Sequence, residues 1–362
     1  MADNGNTRNY GVDLLRVLAM YMIVILHMLN RGGIYGKEVS GSGRVCDLVL
    51  LSFVFSCVDC YALISGFVGY RENKYTRNTV NFMVMWCQTV FYGLIITLIM
   101  SITGVCTADL YSYLSAMLPL TENQYWYFTA YFGVFLCAPF INMAIDRMSS
   151  SSALPVCTGI ILFFSVLPYM TDLFELYGGY NSAWLILLYI VGALLKKDGI
   201  YRSFNNSTVL VILLIAFTAL NFAVGMMKNP DSAEVFRYTD PLVLADSIVL
   251  LLLFANAKVG KAMQKAAEFT APAVFGVFLI HTQKKLFASV FSTAFLWIAD
   301  LPSVLPALAV LGCSAVILIA CILVDKLRIK LFELIKLRKI AEIFYSVLHD
   351  KYQNITAKLL KR

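Results

Sequence analysis

The run Val12–Asn30, VDLLRVLAMYMIVILHMLN, constrains the fold more than any other stretch. About 20 apolar residues rising ~1.5 Å each cross a bilayer as one helix, and this run is long enough to do so. Yet it carries Asp13, Arg16 and His27. Arg16 and His27 stand eleven positions apart, close to three full turns, so both side chains share one face with ~16 Å of rise between them. Asp13 precedes Arg16 by three and falls on the same side, where the two can pair. An ionisable group within a membrane is costly unless it is paired or faces a wet cavity, which makes all three functional candidates. For Arg16, one reading is a guanidinium snorkelling to the headgroups with Asp13 as counter-ion; the other is a site residue. For His27, the readings are a structural imidazole bonded to a neighbouring helix and a general base working near neutral pH.

Composition extends this to the whole chain. Of 362 residues, 60% are hydrophobic and 14% charged, with mean hydropathy +0.75. That excludes an ordinary soluble domain and predicts an all-α, polytopic integral membrane bundle. About ten transmembrane helices are expected, near 12–30, 47–70, 79–101, 125–145, 153–170, 177–195, 207–227, 240–256, 271–293 and 304–324. No basic segment or small-residue cleavage site precedes the first, so residues 1–11 read as a cytosolic lead. With the N-terminus inside, Arg8, Arg71, Lys74, Arg77, Arg147, Lys196, Lys197, Arg202, Lys258, Lys261 and Lys265 all fall inside. Only Arg31, Lys37, Arg44, Lys228 and Arg237 fall outside. This is the positive-inside bias, and an even span count returns the C-terminus to the cytoplasm.

The net charge of +7 does not point to nucleic acid, because ten of the 29 Lys and Arg lie in residues 326–362. There Leu327, Leu331, Leu334, Ile335, Ile340, Phe344, Val347 and Leu348 recur among them, the pattern of a basic amphipathic helix on an anionic inner leaflet. The expected division is a membrane domain over 1–324 and a basic amphipathic cytoplasmic tail over 325–362, with lipids of the cell membrane as partners. The nine cysteines lie mostly in apolar runs and read as reduced thiols. The Cys57–Cys60 CxxC within a span is a poor metal or redox signal, and no metal site is expected.

Further polar residues interrupt the apolar runs. Asp59 lies near mid-span, where it could pair with a basic residue or orient His27. Arg71, Lys74 and Arg77 cluster after the second span, as a topology anchor or as cations for a phosphorylated donor. Residues 102–124 form a loop without Lys or Arg, ending at Glu122 and leading into Trp126 and its aromatic neighbours. The loop 171–181 sets Asp172 and Glu175 beside Tyr177 and Tyr180, a composition suited to sugars. His281, Lys284 and Lys285 lie three and four apart and are expected to crowd one helix face lining the bundle interior.

Four segments resemble the acyltransferase 3 family of membrane acyltransferases. They are Arg16 and His27 with ten residues between, Ile64-Ser65-Gly66-Phe67, the aromatic run at Trp126 followed by Pro139, and Leu279-Ile280-His281. The resemblance covers residues 8–324. It implies transfer of an acyl group, most often acetyl, from cytosolic acyl-CoA to a hydroxyl of a cell-surface or lipid-linked glycan. Acetyl-CoA would be a donor substrate and not a bound cofactor. His27 would be the base or a transient acyl carrier, Arg16 would position His27 or the donor, and Arg71, Lys74 and Arg77 would hold the donor phosphates. Asp59, Glu122, Trp126, His281 and Lys284 are the candidates for the substrate. The competing function is a secondary transporter relaying protons through His27, Asp59 and His281, although the inverted repeats common in transporters are not evident. A membrane module that senses a ligand is the third reading.

Overall fold

The computed structural model describes residues 8–35, 41–76, 78–228 and 235–359, and these contain helices and turns with no strand. In chain order the helices are α1 (Tyr10–Asn30), α2 (Gly41–Val54), α3 (Cys57–Gly69), α4 (Thr79–Ile102), α5 (Leu110–Met117), α6 (Trp126–Arg147) and α7 (Ser150–Ile161). They continue with α8 (Ser182–Lys196), α9 (Ser207–Met227), α10 (Pro241–Ala255), α11 (Lys261–Thr270), α12 (Val274–His281), α13 (Leu305–Leu334) and α14 (Leu337–Leu359). Asparagine caps start several of them: the side chains of Asn9, Asn78, Asn181 and Asn206 accept backbone N–H groups of α1, α4, α8 and α9.

Among the described residues, six helices are long and apolar enough to cross a membrane: Tyr10–Asn30, Gly41–Gly69, Thr79–Ile102, Trp126–Arg147, Ser207–Met227 and Leu305–Leu334. Two apolar stretches, Ser150–Val166 and Pro241–Ala255, are shorter. Two further segments expected to span depart from that length. The 177–195 region yields the 15-residue α8, and the 271–293 region is broken after His281. These short pieces survive because the longer helices surround them; Trp184, Leu185, Leu188 and Leu194 of α8 are fully buried. The loop expected over 102–124 instead folds α5, whose Ala116 packs on Gly93 of α4.

Helix contacts are set by small residues, as they are where lipid offers no hydrophobic drive between helices. A Cβ on Gly66 of α3 would meet the Tyr189 carbonyl oxygen at 1.9 Å, and one on Gly192 of α8 would meet that of Leu63 at 2.0 Å. The close approach expected of Ser65-Gly66 is therefore made, with α8 supplying a reciprocal glycine.

The bundle runs on past Val324, the expected end of the membrane domain. Asp325 and Arg328 are buried on α13, joined at 2.6 Å, and Tyr92 Oη of α4 donates to Asp325 at 2.8 Å. Beyond it α14 packs on α4 and buries Ala341 while exposing Ile340, Phe344, Val347 and Leu348.

Hydrogen bonds between loops define two ends. At the Arg16 end, Asn9 Nδ2 donates to Ala255 O, Tyr10 Oη to Glu268, Asn256 Nδ2 to Phe204 O, and Tyr70 Oη to Asp146. At the His27 end, Tyr238 N donates to Gly178 O, Lys284 Nζ to Glu122 O and Lys285 Nζ to Thr107 O. The positive-inside bias expects the basic Arg16 end in the cytoplasm, in which case single cysteines at Leu110 and Tyr177 in a cysteine-free background should react with an impermeant maleimide on intact cells. Those at Glu72 and Phe204 should react only after permeabilisation. Labelling of the second pair in intact cells would reverse the orientation.

Candidate active site

Helix α1 carries its polar residues as its spacing requires. Arg16 Nη1 meets Asp13 Oδ1 at 2.8 Å, and Asp13 Oδ2 takes Arg8 Nε at 2.5 Å. Shared between two cations, Asp13 leaves a net positive charge at this end of α1. Tyr61 of α3 donates its hydroxyl to the Arg16 carbonyl at 2.7 Å. The Arg16 side chain is 29% exposed and lines a cleft of about 500 Å³ together with Arg71 and Lys74. The structure thus brings together three of the sequence-predicted cations. The fourth, Arg77, lies outside the described residues.

The segment bearing Arg71 and Lys74 is fastened by a residue that sequence reasoning missed. Asp146, near the end of α6, accepts Tyr70 Oη at 2.7 Å, the Asn73 amide at 2.8 Å and the Tyr75 hydroxyl. Asn73 adopts a positive φ of 57°, the left-handed turn that asparagine tolerates. An acid beside Arg147 carries no motif, so only the folded chain shows this staple.

At the other end of α1, His27 Nδ1 lies 3.0 Å from His281 Nε2, and His281 Nδ1 lies 2.6 Å from the Val277 carbonyl oxygen. A carbonyl only accepts, so His281 Nδ1 carries the proton. A neutral imidazole has one N–H, so His281 Nε2 is an acceptor. With both rings neutral, His27 donates through Nδ1, and its Nε2 bears a lone pair with no partner among the described residues.

His27 lines a small apolar chamber of about 60 Å³ with Met20, Ile23, Val58, Trp126 and Phe278. Trp126 forms its roof, ring to ring with Tyr180 at 4.8 Å and stacked on Tyr238 at 6.2 Å. Phe287 presents an edge contact to the His27 ring, 5.7 Å between centroids, from the π-turn Phe287–Phe291. Between chamber and cleft stand Tyr61 and Tyr127, 6.3 Å apart, with Tyr131 stacked 6.5 Å beyond on the cleft side. No motif marks Tyr61 or Tyr238 as site residues, and Tyr131 enters only as one ring of the aromatic run at Trp126.

Two expectations need correction. Asp59 neither orients His27 nor meets a basic residue among the described residues: its Oδ1 accepts Trp184 Nε1 at 3.0 Å, and its Oδ2 has no partner. Two positions separate it from Tyr61, about 200° around α3, so it faces α8 while Tyr61 faces α1. A relay through His27, Asp59 and His281 is therefore not contiguous here. Nor do His281, Lys284 and Lys285 share a helical face. The helix stops at His281, and Gln283 caps a new turn by accepting the Leu286 amide at 2.9 Å. His281 turns inward to His27, while Lys284 and Lys285 line a separate polar cleft. Glu122 stands at the rim of that cleft, its carboxylate accepting Tyr111 Oη at 2.5 Å and its carbonyl accepting Lys284 Nζ at 3.0 Å.

The family model described as Acyltransferase domain matches residues 9–325. The chain belongs to the acyltransferase 3 family. Its matched span takes in α1, the cationic cleft and both histidines of this membrane acyltransferase. Comparisons with curated proteins and with solved structures find no match.

The Asp146 staple has a direct consequence. Asp146→Ala removes three hydrogen bonds from residues 70–75, so tryptic cleavage after Arg71 and Lys74 should run several-fold faster than in the wild type in detergent. Unchanged cleavage would show that other contacts hold the segment.

Proposed function

We propose that the acyltransferase moves a short acyl group, acetyl by the size of the chamber, from cytosolic acyl-CoA to a hydroxyl of a cell-surface or lipid-linked glycan. The observation that carries this reading is the pair of environments on α1: a cationic cleft at Arg16, and an apolar chamber at a histidine whose outer nitrogen is unprotonated. An acyl-CoA has the matching two parts, a phosphorylated head and an apolar thioester end. Arg16, Arg71 and Lys74 would hold the phosphates by charge-assisted hydrogen bonds. The arm would pass the Tyr61–Tyr127 partition and bring the thioester carbonyl to the chamber.

In this reading His27 Nε2 takes the proton of the acceptor hydroxyl as the oxygen attacks the thioester carbonyl. The tetrahedral intermediate collapses with cleavage of the C–S bond, and the proton passes from His27 to the departing thiolate. Esterified acceptor and free coenzyme A thiol are the products. His281 acts as a positioning residue: its Nε2 accepts the His27 Nδ1–H, holding the tautomer and supporting the imidazolium that forms, the part an acid plays in a hydrolase triad. The Trp126–Tyr180–Tyr238 cluster offers ring faces for a sugar beside the chamber.

Purified protein supplied with acetyl-CoA tests the reading. General base catalysis contributes about 10²–10⁴-fold, so His27→Ala should lose acyl transfer to at least that degree while still binding donor. Lys74→Ala should weaken donor binding by about ten-fold or more, since a hydrogen bond to a charged group is worth ~1.5–3 kcal/mol and ~1.4 kcal/mol is a decade. Transfer near wild type in His27→Ala at equal abundance would remove His27 from the chemistry.

A further inference from the structure

The polar cleft at the His27 end has no part in the donor placement proposed above. It measures about 590 Å³ and is lined by Lys284, Lys285, Gln124, Gln283, Tyr111 and Asp109, among other hydroxyl-bearing residues. Gln283 is 1% exposed and donates through Nε2 to Thr97 Oγ1 at 3.2 Å. It stands two positions from His281, and Phe287, one turn further on, touches the His27 ring. The floor of the cleft is therefore next to the histidine pair.

Lys284 and Lys285 bring two ammonium groups into this cleft, with Asp109 in its lining and Glu122 at its rim. Each lysine ammonium has three donors, and each meets a backbone carbonyl: Lys284 that of Glu122, Lys285 that of Thr107, both at 3.0 Å. Among the described residues neither reaches a carboxylate. The one acid in the lining is committed, since Asp109 accepts the Ser112 amide at 2.9 Å and the Ser112 hydroxyl at 2.6 Å. These bonds, with the field of Lys285, hold it below the usual carboxylate range. A second and independent observation concerns Gln124. It is 7% exposed, it lines the cleft, and its side-chain amide makes no hydrogen bond among the described residues. The amide therefore opens onto the cleft, where its N–H and C=O groups are free to meet a ligand.

We infer that this cleft seats the acceptor, and that the acceptor carries an anionic group held by Lys284 and Lys285 with a neighbouring polar group on Gln124. This rests on the acyl-transfer reading above and narrows its substrate class. Hydroxyls and amides suit a saccharide of any charge, whereas two lysines that bond only carbonyls among the described residues favour one that is negatively charged. The anion is a carboxylate, as in a uronic acid, or a phosphate, as in a polyprenyl-linked saccharide. Both would leave a sugar hydroxyl free to turn toward the histidine pair.

Calorimetry on the purified full-length protein in detergent tests this with three probes: tetragalacturonate, its carboxyl-reduced neutral counterpart, and a polyprenyl diphosphate. At least one anionic probe should bind about ten-fold or more tightly than the neutral tetrasaccharide, and which one binds identifies the source of the anion. The double variant Lys284→Gln/Lys285→Gln should weaken that binding by about a hundred-fold, at roughly one decade for each charged contact. Lys284→Arg/Lys285→Arg should retain it, which separates lost charge from lost folding, and Gln124→Ala should weaken it. Failure of both anionic probes to bind more tightly than the neutral tetrasaccharide, or indifference to the glutamine double variant, would overturn the inference. Acetyl-CoA hydrolysis by the wild-type protein is followed separately. Anion binding without hydrolysis would keep the anion site and sink acyl transfer, while hydrolysis without anion selectivity would do the reverse.

Discussion

The hydrogen bond from His27 to His281 ties α1 to α12 across 254 positions of sequence. An imidazole on a membrane helix needs a partner, because desolvating a polar group without one is expensive. His281 meets that need for His27, and the Val277 carbonyl meets it for His281. The direction of the chain is set by its last member, since a carbonyl cannot donate. The end of α12 follows from the same geometry. Thr282 closes the helix, which lets His281 face inward while the next residues leave for the polar cleft. One acceptor in the backbone of α12 thereby fixes which nitrogen α1 presents to the chamber.

The rest of the site is arranged by polarity. Cations gather at the Arg16 end, where Asp13 pairs with Arg8 and Arg16 and leaves the excess positive charge facing Arg71 and Lys74. Apolar and aromatic side chains surround His27, where low dielectric strengthens whatever hydrogen bonds remain. Tyrosines stand between, each with an apolar ring and a polar tip. These environments match the proposed donor, with its charged head and apolar reactive end.

Parts of this were legible in the sequence because they depend on local periodicity. Eleven residues on an ideal helix put Arg16 and His27 on one face whatever surrounds them, and Ser65-Gly66 marked a close helix contact that Gly66 makes with Tyr189 of α8. Other parts depended on departures from periodicity. The shared face expected for His281, Lys284 and Lys285 assumed an unbroken helix, and Gln283 ends it by capping a new turn. Asp59 looked like a site residue because it is acidic and mid-span, but the residue that answers it, Trp184, lies 125 positions away. Asp146 and Tyr61 act through tertiary contacts alone. The expectation of ten spans counted apolar runs, while the fold uses several of those runs as short internal helices such as α8.

In the neutral site His27 presents an unprotonated Nε2 because His281 and Val277 fix its tautomer. The chain has three histidines, and the third, His349, is exposed on α14, so the ¹⁵N spectrum of histidine-labelled protein is simple to assign with single His→Gln variants. At a pH where the imidazoles are neutral, His27 should show a protonated Nδ1 and a bare Nε2, and His281 a protonated Nδ1, with a scalar coupling across the His27–His281 hydrogen bond. His27→Gln should remove that coupling and leave His281 in the same tautomer. A His27 signal with the proton on Nε2, or no coupling between the two rings, would show that His281 does not set the His27 tautomer.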